Sequence, residues 1–317
     1  MKKLTLHLGM HRCASTTMQN LLRVNRPGLA ERGIGVVLRA GMKTDKRVDM
    51  RAWHRRAKAN PRSWGAAGGF ITAIEQMPYG HVIVSEESLL STMPAVRARS
   101  FYPHMEKFLG RLQVLKTHFD LRLRFVVRRQ DRFVNSVYAF RLGAGLAEDF
   151  DTFLASFPEG CFNWCKITDA LDRQGLAENS RVAVMDDWQG PLLNRKLADL
   201  IGLKTDGLTL KSRGNPSLPA GSLPLLLAIN RAGLMPTRAE RRAGLLPLLS
   251  KMTEPDLGAA ATMFTAKDTA KIEQCYDPHA QVDFNNEAHA AFMALYSSAN
   301  AKFLNHHAVD VSGTIWE

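Results

Sequence analysis

The chain has 317 residues, 45% hydrophobic and 23% charged, which excludes a disordered or fibrous protein and allows one large α/β domain or two small ones. Its net charge of +12 gives a surface that attracts anions, whether nucleic acid, a membrane face or small anionic ligands. No apolar run approaches the roughly 20 residues of a membrane span, and Cys13, Cys161, Cys165 and Cys275 show no CxxC pairing, so neither a spanning helix, a disulfide framework nor a zinc site is expected.

The opening stretch MKKLTLHLGMH begins like a secretory signal, but His7 and His11 break its apolar run and no small-residue cleavage site follows. It reads as a first strand, and a cytoplasmic location is expected. Further along, GIGVVL, HVIVS, RLRFVV and RVAVM are short runs rich in β-branched residues, each ahead of a longer amphipathic segment. That alternation predicts an α/β fold, a parallel sheet with crossover helices. After about residue 215 the strands stop, and SLPLLLAINRAG and NNEAHAAFMALYSSANAKFLNHH read as helices. One domain over 1–317 is expected, with an α/β nucleotide-binding core over 1–215 and a helical C-terminal part over 216–317 packed on it. Residues 43–62 carry eight lysines and arginines against Asp45 and Asp49, which reads as a solvated helical excursion ahead of a binding patch.

Between the first strand and the segment NLLRV lies LGMHRCASTTMQ, residues 8–19. A strand running through a tight, small-residue turn into a helix presents backbone N–H groups and a positive helix end to an anion. Ser15, Thr16 and Thr17 begin the helix, and Met18, Leu21 and Leu22 supply its buried side. A Walker loop laid on Gly9 finds Ala14 for its second glycine and Ser15 for its lysine, so an ordinary ATP- or GTP-binding loop is not indicated. The cation is Arg12, on the incoming side of the turn. The bland alternative is a Ser-Thr-Thr run that merely caps a helix.

A second stretch, RLRFVVRRQDRFVNSVYAF at 122–140, has a strand ending at Val127, Arg128 and Arg129 leaving its C-terminal edge, Asp131 as a helix cap and Ser136 inside the following helix. Arg128 and Ser136 can converge on one phosphate, combining charge with a hydroxyl donor.

Together these segments resemble the sulfotransferases that use 3′-phosphoadenosine 5′-phosphosulfate (PAPS). In that family a strand-loop-helix with a pattern like PKTGSTSLQ binds the 5′-phosphosulfate, and an arginine followed eight residues later by a serine binds the 3′-phosphate. Here the first reads His11 to Gln19 and the second Arg128 to Ser136, with Arg12 for the usual lysine and Ala14 for glycine. The segments RVAVMDDWQGPLLNRKLADLIGL, NPSLPAGSLPLLLAINR and SSANAKFLNHH are also similar to bacterial members. The resemblance implies the P-loop-related sulfotransferase fold, with PAPS as sulfuryl donor, adenosine 3′,5′-bisphosphate (PAP) as product and no metal. It implies a cofactor site of Arg12, Cys13, Ala14, Ser15, Thr16, Thr17, Arg128 and Ser136, with Arg213 and Gly214 as a late contact to the 3′-phosphate. Arg12 and the loop hydroxyls would stabilise the leaving oxygen.

The acceptor, a glycan or small molecule, needs a base. Glu86, at the end of the strand HVIV, resembles the catalytic glutamate of the carbohydrate-modifying branch, with Glu87 as understudy. His118 in LKTHFD resembles the KTH of the small-molecule branch, although this segment reads as a helix end before the next strand. The first two would otherwise be carboxylates suited to a helix's first turn. Two other readings stay open: an atypical P-loop nucleotide or small-molecule kinase, which would need ATP and magnesium, and a basic nucleic-acid-binding protein, for which no RRM, KH or helix-turn-helix signature is present.

Overall fold

The computed structural model describes residues 1–50, 65–90, 93–94, 99–186, 188–210, 218–252, 256–258, 262–311 and 316. The late contact residues Arg213 and Gly214, and the part of the basic stretch from Arg51 onward, lie outside them.

All five expected strands form: β1 (Lys2–His7), β2 (Ile34–Leu38), β3 (His81–Ser85), β4 (Phe119–Val127) and β5 (Ser180–Val184). A sixth, β6 (Val309–Asp310), pairs with β5 through Val182 and Val309, so the C-terminal part is not purely helical as expected. The sheet is parallel throughout, in the order β2-β3-β1-β4-β5-β6. A parallel sheet is covered on both faces, which is why the central strands read as near-continuous apolar runs. Leu4, Leu6, Val82, Ile83, Val84, Phe125, Val126 and Val127 are fully buried. Two polar contacts cross neighbouring strands, while His7 Nε2 is buried without a hydrogen-bond partner among the described residues. Thr5 Oγ1 meets His81 Nε2 at 2.8 Å, and His7 Nδ1 meets Ser85 Oγ at 2.8 Å.

The crossovers are α1 (Ser15–Val24) and α2 (Arg26–Glu31) from β1 to β2, then α3 (Arg39–Thr44) and α4 (Gly65–Glu75) on the way to β3. Next come α5 (Met105–Leu112) before β4, and α6 (Gln130–Leu142), α7 (Phe150–Ala155) and α8 (Cys165–Arg173) before β5. After β5 the chain runs through α9 (Gly190–Leu200), α10 (Leu223–Arg231), α11 (Ala266–Cys275), α12 (Asn286–Ala294) and α13 (Ser297–Leu304). Burying Met18, Leu21 and Leu22, each essentially inaccessible, holds α1 against the sheet. Each contributes about 1.5–3 kcal/mol, and Leu22→Ala would cost roughly 2–5 kcal/mol with its cavity.

The connection after β1 runs toward β2, whereas the one after β4 runs toward β5 on the other side. The two loops therefore diverge and leave a crevice outside the C-terminal ends of β1 and β4, the switch point at which open α/β sheets bind ligands.

Candidate active site

The loop after β1 owes its shape to two left-handed residues, Arg12 at φ 64° and Ala14 at φ 57°. Between them Cys13 donates its N–H to the Met10 carbonyl at 3.3 Å, which closes the turn ahead of the next helix. Ala14 thus occupies the conformation that the glycine of the similar motif would adopt without a Cβ penalty. Ala14 precedes α1, and no side chain caps the N-terminus of this ten-residue helix. The first N–H groups of α1 have no partner within the helix and carry the positive end of its dipole. Gly9 allows the loop to fold back, because a Cβ there would stand 2.8 Å from Ser15 Oγ.

The loop side chains divide by direction. Cys13 is buried, and burial pushes its thiol up to about 12. Ser15 is 2% exposed and donates to the Met10 carbonyl at 2.9 Å, so its hydroxyl faces inward. Thr17 is also buried, and Thr16 faces solvent. Of the three hydroxyls expected to serve the ligand, Thr16 is the exposed one, and Ser15 and Thr17 are buried.

Arg12 reaches across the crevice. Its Nε donates to Ser136 Oγ at 3.0 Å, and its guanidinium lies over the Phe140 ring at 5.5 Å. Arg128, leaving the end of β4, donates to the Arg12 carbonyl at 3.4 Å, and its buried Nε has no hydrogen-bond partner among the described residues. Burial and then the neighbouring Arg128 lower the pKa of Arg12. Neither guanidinium has a carboxylate at ion-pair distance among the described residues. Two neighbouring cations at the crevice, one with an unsatisfied buried donor, form an arrangement in which an anion would relieve the repulsion and satisfy the donor.

The other arginines of this segment are engaged. Arg129 forms a two-point ion pair with Asp131, 2.8 Å at each contact, and His289 reaches the same carboxylate at 3.0 Å. Arg132 donates to the Asp186 carbonyl at 2.9 Å. Asp131 is therefore an ion-pair partner inside the first turn of α6, where Arg129 stands at the cap position. Asp186, after β5, accepts from Arg129 N at 2.6 Å and from Trp316 Nε1 at 2.9 Å, which ties the chain's end to the site's floor.

On the β3 side, Glu86 is fully buried. Its Oε1 accepts from Ser88 Oγ at 2.5 Å, and Arg39 Nε stands 3.9 Å from its Oε2. Glu87 is half-buried, and burial followed by the charge of Glu86 raises its pKa. After burial, the charges of Arg39 and then Arg12 lower the pKa of the His11 ring. Arg39 is a residue the sequence reading missed. It leaves the C-terminal end of β2 just as Arg128 leaves β4, and the same rule would have found it.

His118 is not brought to the site. It precedes β4 at the opposite edge of the sheet, where its Nδ1 faces Glu75 at 3.4 Å. The nine residues of β4 separate it from Arg128, roughly 30 Å of strand. The segment before it is α5 and a 3₁₀ turn over Gln113–Thr117, as its sequence pattern indicated. That same edge carries a cleft of ≈680 Å³ lined in part by Asp120, Arg122, Arg124, Arg181 and Asp310. Its arginines are compensated, Arg122 by Asp120 at 3.0 Å, Arg181 by Asp199 at 3.3 Å, and Arg124 by the Leu200 carbonyl at 2.8 Å. This cleft lacks the uncompensated charge that distinguishes the β1–β4 crevice.

Among the described residues no group of His, Cys, Asp or Glu could hold a metal ion, and no helix is long and apolar enough to cross a membrane. No family model, curated protein or solved structure matches the chain.

Proposed function

We propose that the protein is a sulfotransferase moving a sulfuryl group from PAPS to the hydroxyl or amine of a glycan, glycolipid or small molecule. The observation that carries this reading is the meeting of Arg12, Arg128 and Ser136 beside the uncapped N-terminus of α1. A nucleotide with an anionic 5′ group and a 3′-phosphate needs two adjacent anion sites. The contacts of Arg12 with Ser136 and of Arg128 with the Arg12 carbonyl support such a pair.

PAPS supplies, when bound, a sulfuryl group activated as a mixed anhydride. Arg128 and Ser136 would hold the 3′-phosphate, as the resemblance implies. Arg12 and the first N–H groups of α1 would stabilise the negative charge that grows on the leaving oxygen, in a crevice where burial strengthens the interaction. Sulfuryl transfer depends chiefly on such positioning, as phosphoryl transfer does.

For the base, Glu87 is better placed than Glu86. A base must come within hydrogen-bond reach of the proton it takes, and Glu86 is sealed from solvent, whereas Glu87 is partly open. A carboxylate with a raised pKa is also the stronger base.

The test is titration calorimetry with PAP, with adenosine 5′-phosphate as control and the Arg128→Ala protein beside wild type. Micromolar binding that needs the 3′-phosphate and is lost in the variant is expected. Wild-type protein that ignores PAP, or binds both nucleotides equally, would overturn the reading.

A further inference from the structure

His11 stands on the loop directly before Arg12, at a position where the similar motif has proline, so the resemblance gives it no role. Its surroundings are specific. The Tyr102 hydroxyl accepts the His11 backbone N–H at 2.9 Å and lies 3.2 Å from the ring's Nδ1. The two rings stack at 5.8 Å with an interplanar angle of 26°. Tyr102 is 2% exposed and adopts φ 38°, a left-handed conformation that a bulky residue holds only when its surroundings impose it.

A phenol has one hydrogen to give. Having accepted the amide hydrogen of His11, the buried Tyr102 hydroxyl has Nδ1 of the same residue as its partner among the described residues. If Nδ1 carried a proton, the hydroxyl would accept two hydrogen bonds and bury its own hydrogen unpaired, at a cost of roughly 1–3 kcal/mol. Nδ1 is therefore the acceptor, and the ring proton sits on Nε2. Burial, then Arg39, then Arg12 lower the pKa of the ring to about 4, so it is neutral near pH 7. A further cation on this loop would add repulsion with Arg39 and Arg12, whose charges already lower the ring's pKa. A neutral ring adds a donor without adding charge.

We propose that His11 is a neutral hydrogen-bond donor, through Nε2–H, to the anionic group on the 5′ side of the bound nucleotide, its tautomer set by Tyr102. This rests on the sulfotransferase reading and assigns to that site a catalytic residue outside the motif resemblance.

The test combines histidine-¹⁵N NMR of the whole protein with binding of PAP and of adenosine 3′-phosphate, which lacks the 5′ group. The His11 resonances, assigned by their loss in His11→Gln, should show the proton on Nε2 from pH 5.5 to 8 and move when PAP is added. His11→Ala should weaken PAP by roughly tenfold or more, as expected for a hydrogen bond to a charged group, and leave adenosine 3′-phosphate unchanged. His11→Gln, which keeps an N–H donor, should recover most of the loss. A proton on Nδ1, a ring that titrates near its ordinary value, or PAP bound equally by wild type and His11→Ala would overturn the proposal. If His11→Ala loses adenosine 3′-phosphate as well, the wild-type tautomer decides, Nε2–H supporting the assignment and Nδ1–H overturning it. Wild-type protein that binds neither nucleotide would instead remove the functional reading, and His11's role with it.

Discussion

Arg12 Nε donates to Ser136 Oγ at 3.0 Å across the crevice between β1 and β4, joining two segments 124 residues apart in the chain. This contact links the two candidate anion sites, so their energies should be coupled. Arg128→Ala is expected to weaken PAP by about 100-fold or more, because it removes a charged partner from a buried site. Ser136→Ala should cost roughly tenfold. The double variant Arg12→Ala/Ser136→Ala should lose less than the sum of the single losses, and a calorimetric double-mutant cycle measures the difference. Strict additivity would mean that the two side chains act on the ligand independently.

Ala14 offers a stability test that does not depend on the ligand. An alanine at φ 57° pays for its Cβ. Ala14→Gly should therefore stabilise the fold by about 0.5–1 kcal/mol after allowing for the greater freedom of glycine in the unfolded chain. Denaturant unfolding checks it, and a destabilised variant would show that the left-handed conformation is not adopted in solution.

Glu87 and Glu86 should separate in kinetics. Glu87→Gln is expected to lower kcat by 10²- to 10⁴-fold, the typical contribution of a general base, and His118→Ala to change it little. The sign of the pH effect follows from the shift. Folding raises the pKa of Glu87 above its ordinary value of 4.5, so just above that value the native protein holds more protons than the unfolded one. Stability contributed by this group then falls as pH rises through that window. Glu87→Gln should consequently be more stable than wild type near neutral pH, with the advantage vanishing in acid. A less active variant with unchanged or reduced stability would contradict the burial explanation.

His7, His11 and His81 act in the opposite direction. Burial is the leading cause that lowers each of them from 6.5 to about 4. Their stabilising contribution is complete above pH 6.5 and is lost as pH falls toward 4, because the unfolded chain then binds protons that the native state refuses. Unfolding free energy measured by denaturant titration should decline over that interval with a proton uptake approaching three. His7→Gln should reduce the slope by close to one proton, and an unchanged slope would show that His7 is not neutral in the native state.

Much of this architecture can be read from the chain because a buried parallel strand leaves a local trace. HVIVS and RLRFVV are apolar where the sheet is covered on both faces, and each became a strand. Strand β6 left no such trace, since two residues form no run and their pairing depends on β5 being nearby. The candidate site was readable in part for a similar reason. A strand ending in a small-residue turn and an arginine leaving a strand end are both local patterns.

What the amino-acid sequence determined by itself is the alternation of strands and helices, the turn after β1 and the choice of residues at the strand ends. Which of those residues face one another was decided only by the tertiary structure. Arg128, Arg129 and Arg132 are chemically equivalent in sequence. The fold gives Arg129 to Asp131 and Arg132 to the Asp186 carbonyl, and leaves a buried donor of Arg128 unsatisfied. Glu86 and Glu87 are adjacent, yet the cover over the end of β3 seals one and leaves the other beside the loop. The physical reason is the same in each case. Propensity and apolar patterning act over a few residues, whereas burial and charge compensation depend on neighbours supplied by distant parts of the chain.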